Sequence, residues 1–136
     1  MIFYADDDLD DLDLFTDIVK ELGSEVLTFE YGDDLMHQLE NPPPAAGILF
    51  LDINMPKRSG LEILSEIRSK KKWQDLPIIM FTTSSSPENI SKRQDLGANY
   101  YIAKTYDLAK LKKSIEYALS IDWKVFKPSA SEFFCA

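Results

Sequence analysis

Apolar residues along the chain fall into two alternating rhythms: short continuous runs, and longer segments that repeat every three to four positions. The runs are Ile2 to Ala5, Val26 to Tyr31, Gly47 to Leu51, Pro77 to Phe81 and Tyr100 to Ala103. Each has strand length and carries β-branched or aromatic residues. Gly47 to Leu51 is apolar at every position after the glycine, the pattern of a central strand covered on both faces. Helix-period segments lie between the runs. Leu9, Leu12, Phe15, Ile18, Val19 and Leu22 form the first, with Asp8 as N-cap, Asp10 and Asp11 in the first turn, and Gly23 as the stop. Asp33 to Glu40 reads as a short helix with Leu35, Met36 and Leu39 inward, closed by the stiff connection Asn41-Pro42-Pro43-Pro44. Ser59 and Glu62 make a capping-box pattern ahead of Leu61, Leu64 and Ile67, and Lys70, Lys71 and Lys72 hold the far end of that helix. Ser86-Pro87-Glu88 opens a fourth, mostly polar helix with Ile90 and Leu96 as its large apolar residues, ended by Gly97. Leu108, Leu111, Ile115, Ala118 and Leu119 stripe the last.

Five strands, each followed by a helix, predict an α/β fold: a doubly wound, five-stranded parallel sheet with helices on both faces. The 136 residues suit one domain over residues 1–120, followed by an apolar tail over 121–136 and no separate output domain. Trp123, Val125, Phe126, Phe133 and Phe134 are too apolar to be left in water, so the tail is expected to pack on its own body, with a homodimer contact as the alternative.

Charge narrows the partners. Fifteen basic against twenty-three acidic residues give a net charge of −8, which disfavours direct DNA binding. One cysteine, Cys135, excludes a disulfide framework within the chain. No stretch approaches the ~20 apolar residues of a membrane span and the N-terminus has no leader pattern, so a cytoplasmic, membrane-free protein is expected.

In parallel sheets of this kind ligands bind at the carboxyl ends of the strands. The residues just past the strands are Asp6 and Asp7, then Asp52, then Thr82 and Thr83, then Lys104. Three carboxylates, a hydroxyl and an ammonium thus converge on one edge. Carboxylates so close repel by about 4 kcal/mol per pair at 4 Å, and a cation among them relieves it. Oxygen ligands alone point to a hard ion such as Mg²⁺, and a single histidine and a single cysteine argue against zinc. Helix capping accounts for Asp8, but not for Asp52 or Lys104 at the ends of other strands.

These residues resemble the response-regulator receiver domain of two-component signalling. The matching stretches are Tyr4-Ala-Asp6-Asp7-Asp8, Leu51-Asp52-Ile-Asn-Met55-Pro56-Lys-Arg-Ser-Gly60, Met80-Phe-Thr82-Thr83 and Gly97-Ala-Asn-Tyr-Tyr101-Ile-Ala-Lys104. The resemblance implies that Asp52 is the phosphoacceptor. Asp7, Asp52 and the backbone carbonyl of Asn54 would hold Mg²⁺, with Asp6 acting through a metal-bound water. Lys104 and Thr82 would contact the phosphoryl oxygens, and Tyr101 would turn inward with Thr82 as the switch, remodelling a loosely held fourth helix. The implied protein is a signalling phosphoacceptor and not an enzyme in the ordinary sense, although it assists its own phosphorylation and dephosphorylation. A sensor histidine kinase or a histidine phosphotransfer protein would supply the phosphoryl group, and an unknown downstream protein would read the result by contact.

Two departures from the family are visible. Lys104 is followed by Thr105 where most relatives have a cis-proline; a trans bond is expected, with Thr105 free to cap the last helix. The positions that tune phosphoryl lifetime hold Asn54 and Ser84, neither an obvious base. His37, Lys70 to Lys72 and Trp73 are read as surface or packing residues. The alternative function is a pseudo-receiver that binds partners without phosphorylation, although acceptor, acidic pair and lysine are all kept. A haloacid-dehalogenase-type phosphatase would need Asp-x-Asp where this chain has Asp52-Ile53-Asn54, and a flavodoxin-like cofactor binder would need a phosphate-cradling loop.

Overall fold

The computed structural model of the chain describes residues 1–83, 87–129 and 132–135. Strands β1 (Ile2–Ala5), β2 (Val26–Phe29), β3 (Ile48–Leu51), β4 (Ile78–Thr82) and β5 (Tyr100–Ala103) alternate with helices α1 (Leu9–Glu21), α2 (Gly32–Glu40), α3 (Gly60–Arg68), α4 (Pro87–Asp95) and α5 (Leu108–Ser120). All paired strands are parallel, in the order β2-β1-β3-β4-β5, as the alternating pattern predicts. The sheet has one strand more than expected. Phe134–Cys135 forms β6, parallel to β5 and in register with Tyr101 and Ile102. Among the described residues, no helix is long and apolar enough to cross a membrane.

Successive strand residues face opposite sides of the sheet. Phe3, Ala5, Leu49, Leu51, Ile78, Met80 and Tyr101 pack with Leu35, Met36 and Leu39 of α2 and Ile63, Leu64 and Ile67 of α3. Ile2, Tyr4, Phe50, Ile79, Phe81, Tyr100 and Ile102 pack with Leu12, Phe15, Ile18 and Val19 of α1 and Leu111, Ile115 and Ala118 of α5. The C-terminal segment joins both layers. Trp123 is buried on the α1/α5 side and donates its indole N–H to the Ala118 carbonyl, 2.9 Å. Phe133 is fully buried on the other side, so the chain wraps the β5 edge of the sheet. Of the apolar tail residues, Trp123 and Phe133 pack on the chain's own body as expected, Val125 is 80% exposed, and the Phe134 side chain lies outside what is described.

Local signals set most helix ends. Asp8 caps α1, its carboxylate accepting from the Asp10 and Asp11 amides, and Gly23 beyond the C-cap has φ +82°. Ser59 caps α3 by accepting from the Glu62 amide. Three expectations fail. Leu9 and Leu108 sit in first turns and point into solvent. Helix α3 ends at Arg68, and Lys71–Trp73 form a separate 3-10 turn in which Lys70 and Lys72 pair with Glu40 over the Trp73 ring. Thr105 does not cap α5: Asp107 does, accepting from the Lys110 amide at 3.1 Å, while the Thr105 hydroxyl accepts from the Asp107 amide. Asp107 directly precedes Leu108 and so faces the free amides of the first turn, whereas Thr105 lies two residues too early to reach them. The Lys104–Thr105 bond is trans, the cis bonds among the described residues being confined to Pro42-Pro43-Pro44. Ser84 and the Ser86 cap lie outside the described residues.

Candidate functional site

Each parallel strand delivers its last residues to the same edge, and register sets their depth. The Ala5 carbonyl accepts from the Asp52 amide at 3.0 Å and the Thr82 carbonyl from the Lys104 amide at 2.9 Å, so adjacent strands end level. Asp6, Asp7 and Asp52 each present a carboxylate oxygen within 4.8 Å of the others. Asp6 is fully buried and Asp52 nearly so, while Asp7 is exposed. Asn54 follows in the β3–α3 loop and is exposed. Gly60 closes that loop, its amide donating to the Ile53 carbonyl at 2.8 Å. A Cβ at Gly60 would lie 2.1 Å from the Asp52 carbonyl oxygen, so only glycine fits behind the aspartate.

Lys104 crosses the edge from β5. Its ammonium donates to Asp6 Oδ2 at 2.5 Å and Asp11 Oδ2 at 2.8 Å and stands 3.6 Å from Asp52 Oδ1. Asp6 is further held by the Tyr4 hydroxyl, which donates to Oδ2, and by the Asp8 amide, which donates to Oδ1 at 3.0 Å. Asp6 is thus committed to protein donors, while Asp7 faces outward. Sequence reasoning missed Tyr4 and Asp11. Tyr4 was one apolar strand residue among four, and Asp11 was one carboxylate in a crowded acidic segment.

Burial pushes the Asp52 carboxyl up to about 6, Lys104 opposing and Asp6 adding to the shift. Lys104 is held above the ordinary lysine value: burial lowers it, but its bonds to Asp11 and Asp6 and the charge of Asp52 more than offset this. Burial, reinforced by Asp6, raises the Tyr4 hydroxyl, which therefore stays a donor. A metal fits this donor set, since crowded carboxylate oxygens with one pKa driven upward gain most from a hard cation.

Thr82 is fully buried next to Asp52, whose charged form it favours, yet its hydroxyl completes no hydrogen bond of ordinary geometry among the described residues. Such a hydroxyl keeps the capacity to donate to, or accept from, a further polar atom. Tyr101 is fully buried already, its ring against Phe133 and 5.9 Å from the Arg93 guanidinium. Ile90 of helix α4 and Leu96, just past its end, pack against the core, and the helix buries Arg93. His37 is exposed.

The family model for the response regulator receiver domain matches residues 2–116. Chemotaxis protein CheY1 of Helicobacter pylori is 31% identical over 102 residues, covering 74% of this chain and 82% of that protein. A CheY homolog of Campylobacter jejuni is 38% identical over 72 residues, 53% of this chain; the match spans only 55% of that relative's length. Among solved structures, the phosphorylated cyanobacterial phytochrome response regulator RcpA superposes with a TM-score of 0.78 at 28% identity, covering 94% of this chain and 97% of that one. The Mn²⁺-bound response regulator Rcp1 gives 0.78 at 25% identity, covering 94% and 98%. With its strand-end aspartates and lysine inside a match that takes in most of its length, the chain belongs to the response regulator receiver domain family.

Proposed function

We propose that this chain is a response regulator that accepts a phosphoryl group on Asp52 in a Mg²⁺-dependent reaction. The observation that carries this reading is the setting of Asp52: a buried carboxylate with oxygens of Asp6 and Asp7 within 4.8 Å and the Lys104 ammonium 3.6 Å away, near a buried Thr82 hydroxyl that completes no hydrogen bond of ordinary geometry among the described residues. RcpA was determined phosphorylated and Rcp1 with Mn²⁺ bound, and both precedents support the same chemistry here.

An Asp52 carboxylate oxygen attacks phosphorus of a donor phosphohistidine on a sensor kinase or phosphotransfer protein. The new O–P bond forms as the P–N bond breaks, and the histidine leaves with the electron pair and takes up a proton. Asp7, Asp52 and the Asn54 carbonyl would hold Mg²⁺, with Asp6 in reach through a water; when bound, the ion offsets charge on the transferring oxygens. Lys104 and Thr82 receive those oxygens, so the protein contributes chiefly by positioning and electrostatics. Engagement of Thr82 shifts the balance between two arrangements of Thr82, Tyr101 and α4, which a downstream protein reads by contact in the cytoplasm. The receiver would comprise residues 1–120, with 121–136 as an appended tail that packs back on the same chain.

Intact-protein mass after incubation with acetyl phosphate, with and without Mg²⁺, tests the proposal. One Mg²⁺-dependent phosphoryl adduct, absent in Asp52→Asn, is expected. No adduct under any condition would make the chain a phosphorylation-independent interaction module.

A further inference from the structure

We propose that Asp11 is a positioning residue for Lys104: with Asp6 it clamps the ammonium at rest, and it surrenders that ammonium to the phosphoryl group formed on Asp52. The inference rests on the phosphoacceptor role given to Asp52 above. A lysine ammonium has three donors. Two are spent on carboxylates of the β1–α1 segment, Asp6 at 2.5 Å and Asp11 at 2.8 Å, and Asp52 at 3.6 Å is beyond hydrogen-bond reach. At rest the lysine is therefore bonded to the neighbours of the acceptor and not to the acceptor itself.

The two partners differ in what it costs to leave them. The Asp6 side chain is 0% exposed, and without Lys104 its buried charge would lack a counter-ion. The Asp11 side chain is 30% exposed, so water replaces the ammonium there at small cost. When phosphoryl oxygens arise at Asp52, Asp11 is the partner Lys104 exchanges for them. Nothing about α1 itself requires this contact. Asp8 is the cap, and Asp10 shares the first turn with Asp11, but Asp11 is the one whose carboxylate bonds Lys104. The Lys104–Asp11 bond opposes phosphorylation, and the Asp11 charge repels an incoming anionic donor. Removing that carboxylate lowers both barriers.

The test compares Asp11→Asn with Asp10→Asn, which deletes the same charge from the same helical turn. Acetyl phosphate is the donor: the Asp52 oxygen attacks phosphorus, the P–O bond breaks and acetate leaves. The donor concentration giving half-maximal rate in Mg²⁺ is expected to fall about threefold or more in Asp11→Asn and to stay within about 1.5-fold in Asp10→Asn, with Asp11→Glu returning towards the wild-type value. The NMR signal of the Lys104 ammonium should move in Asp11→Asn and hold in Asp10→Asn. If the wild type is phosphorylated but the two asparagine variants behave alike, the clamp is overturned and the role of Asp52 stands. If the wild type gains no adduct, the role of Asp52 is overturned and the clamp with it.

Discussion

The ring of Phe133 lies against that of Tyr101, centroids 6.3 Å apart and planes inclined by 59°, with neither side chain exposed to solvent. Phe133 belongs to the C-terminal segment, so a residue distant in sequence from the strand-end aspartates seals an aromatic side chain of β5. The Gln94 amide of α4 adds a bond to the Pro128 carbonyl at 3.0 Å, tying the same segment to the helix. Phe133→Ala removes a fully buried ring and should cost about 3–5 kcal/mol. Val125→Ala, at an exposed position in the same segment, should stay within about 0.5 kcal/mol. Denaturant midpoints at unchanged slope measure both. A loss below about 1 kcal/mol for Phe133→Ala would mean that this packing does not hold the tail.

Gly60 stands behind Asp52 with no room for a methyl group: an added Cβ meets the Asp52 carbonyl oxygen at 2.1 Å and the Ile53 Cα at 2.8 Å, both backbone atoms that cannot swing aside. Gly60→Ala should therefore move the β3–α3 loop, costing about 1–3 kcal/mol and displacing the acceptor. Metal titration followed by NMR should show weakened divalent binding in this variant. Gly47→Ala, where the nearest atoms are 3.8 Å away, is the control expected to bind normally.

The strands were legible because parallel strands buried on both faces need runs of apolar residues, and a run ends where polar chemistry begins; Asp6, Asp52, Thr82 and Lys104 were found by that discontinuity alone. Caps were legible at Asp8 and Ser59, where one short polar side chain precedes the apolar stripe. At the start of α5 two competent caps, Thr105 and Asp107, lie two residues apart, and composition does not choose between them. Strand β6 is two residues long, too short for any periodicity, and it forms because burial of Trp123 and Phe133 on opposite layers draws the chain along β5. The Tyr4 hydroxyl and the Asp11–Lys104 pair depend on which way a side chain turns inside an otherwise ordinary apolar strand or acidic stretch. Spacing carries no record of that.

Asp6 draws on three donors at once, and its burial makes each of them count. Lys104→Met removes the counter-ion of a fully buried carboxylate and should destabilise the protein by about 3 kcal/mol. Tyr4→Phe deletes one neutral donor to the same oxygen while keeping the ring against Phe15, and should cost about 1–3 kcal/mol. The pair should not be additive, because both act on Asp6 Oδ2. A double-mutant cycle in urea measures the coupling. Strict additivity would place the two donors on independent groups.

Asp52 makes stability depend on pH in a direction opposite to that of a salt-bridged carboxylate. Burial raises its pKa from the ordinary 3.8 to about 6, so the folded state holds this proton more tightly than the unfolded state. Below about 4 the group is neutral in both states and costs nothing. As pH climbs from about 4 to about 6 the unfolded chain ionises first, and the metal-free fold loses about 3 kcal/mol, a loss that persists at higher pH. Asp52→Asn carries no such charge. Without metal it should melt above the wild type at pH 7.5, and the gap should close as pH falls towards 4. Divalent metal relieves the same repulsion, so Mg²⁺ should raise the melting temperature of the wild type at pH 7.5 and do little for the variant. Equal melting temperatures for the two proteins at pH 7.5 without metal would mean that the Asp52 carboxylate is not strained by its burial, and the electrostatic reason for a cation at this edge would go with it.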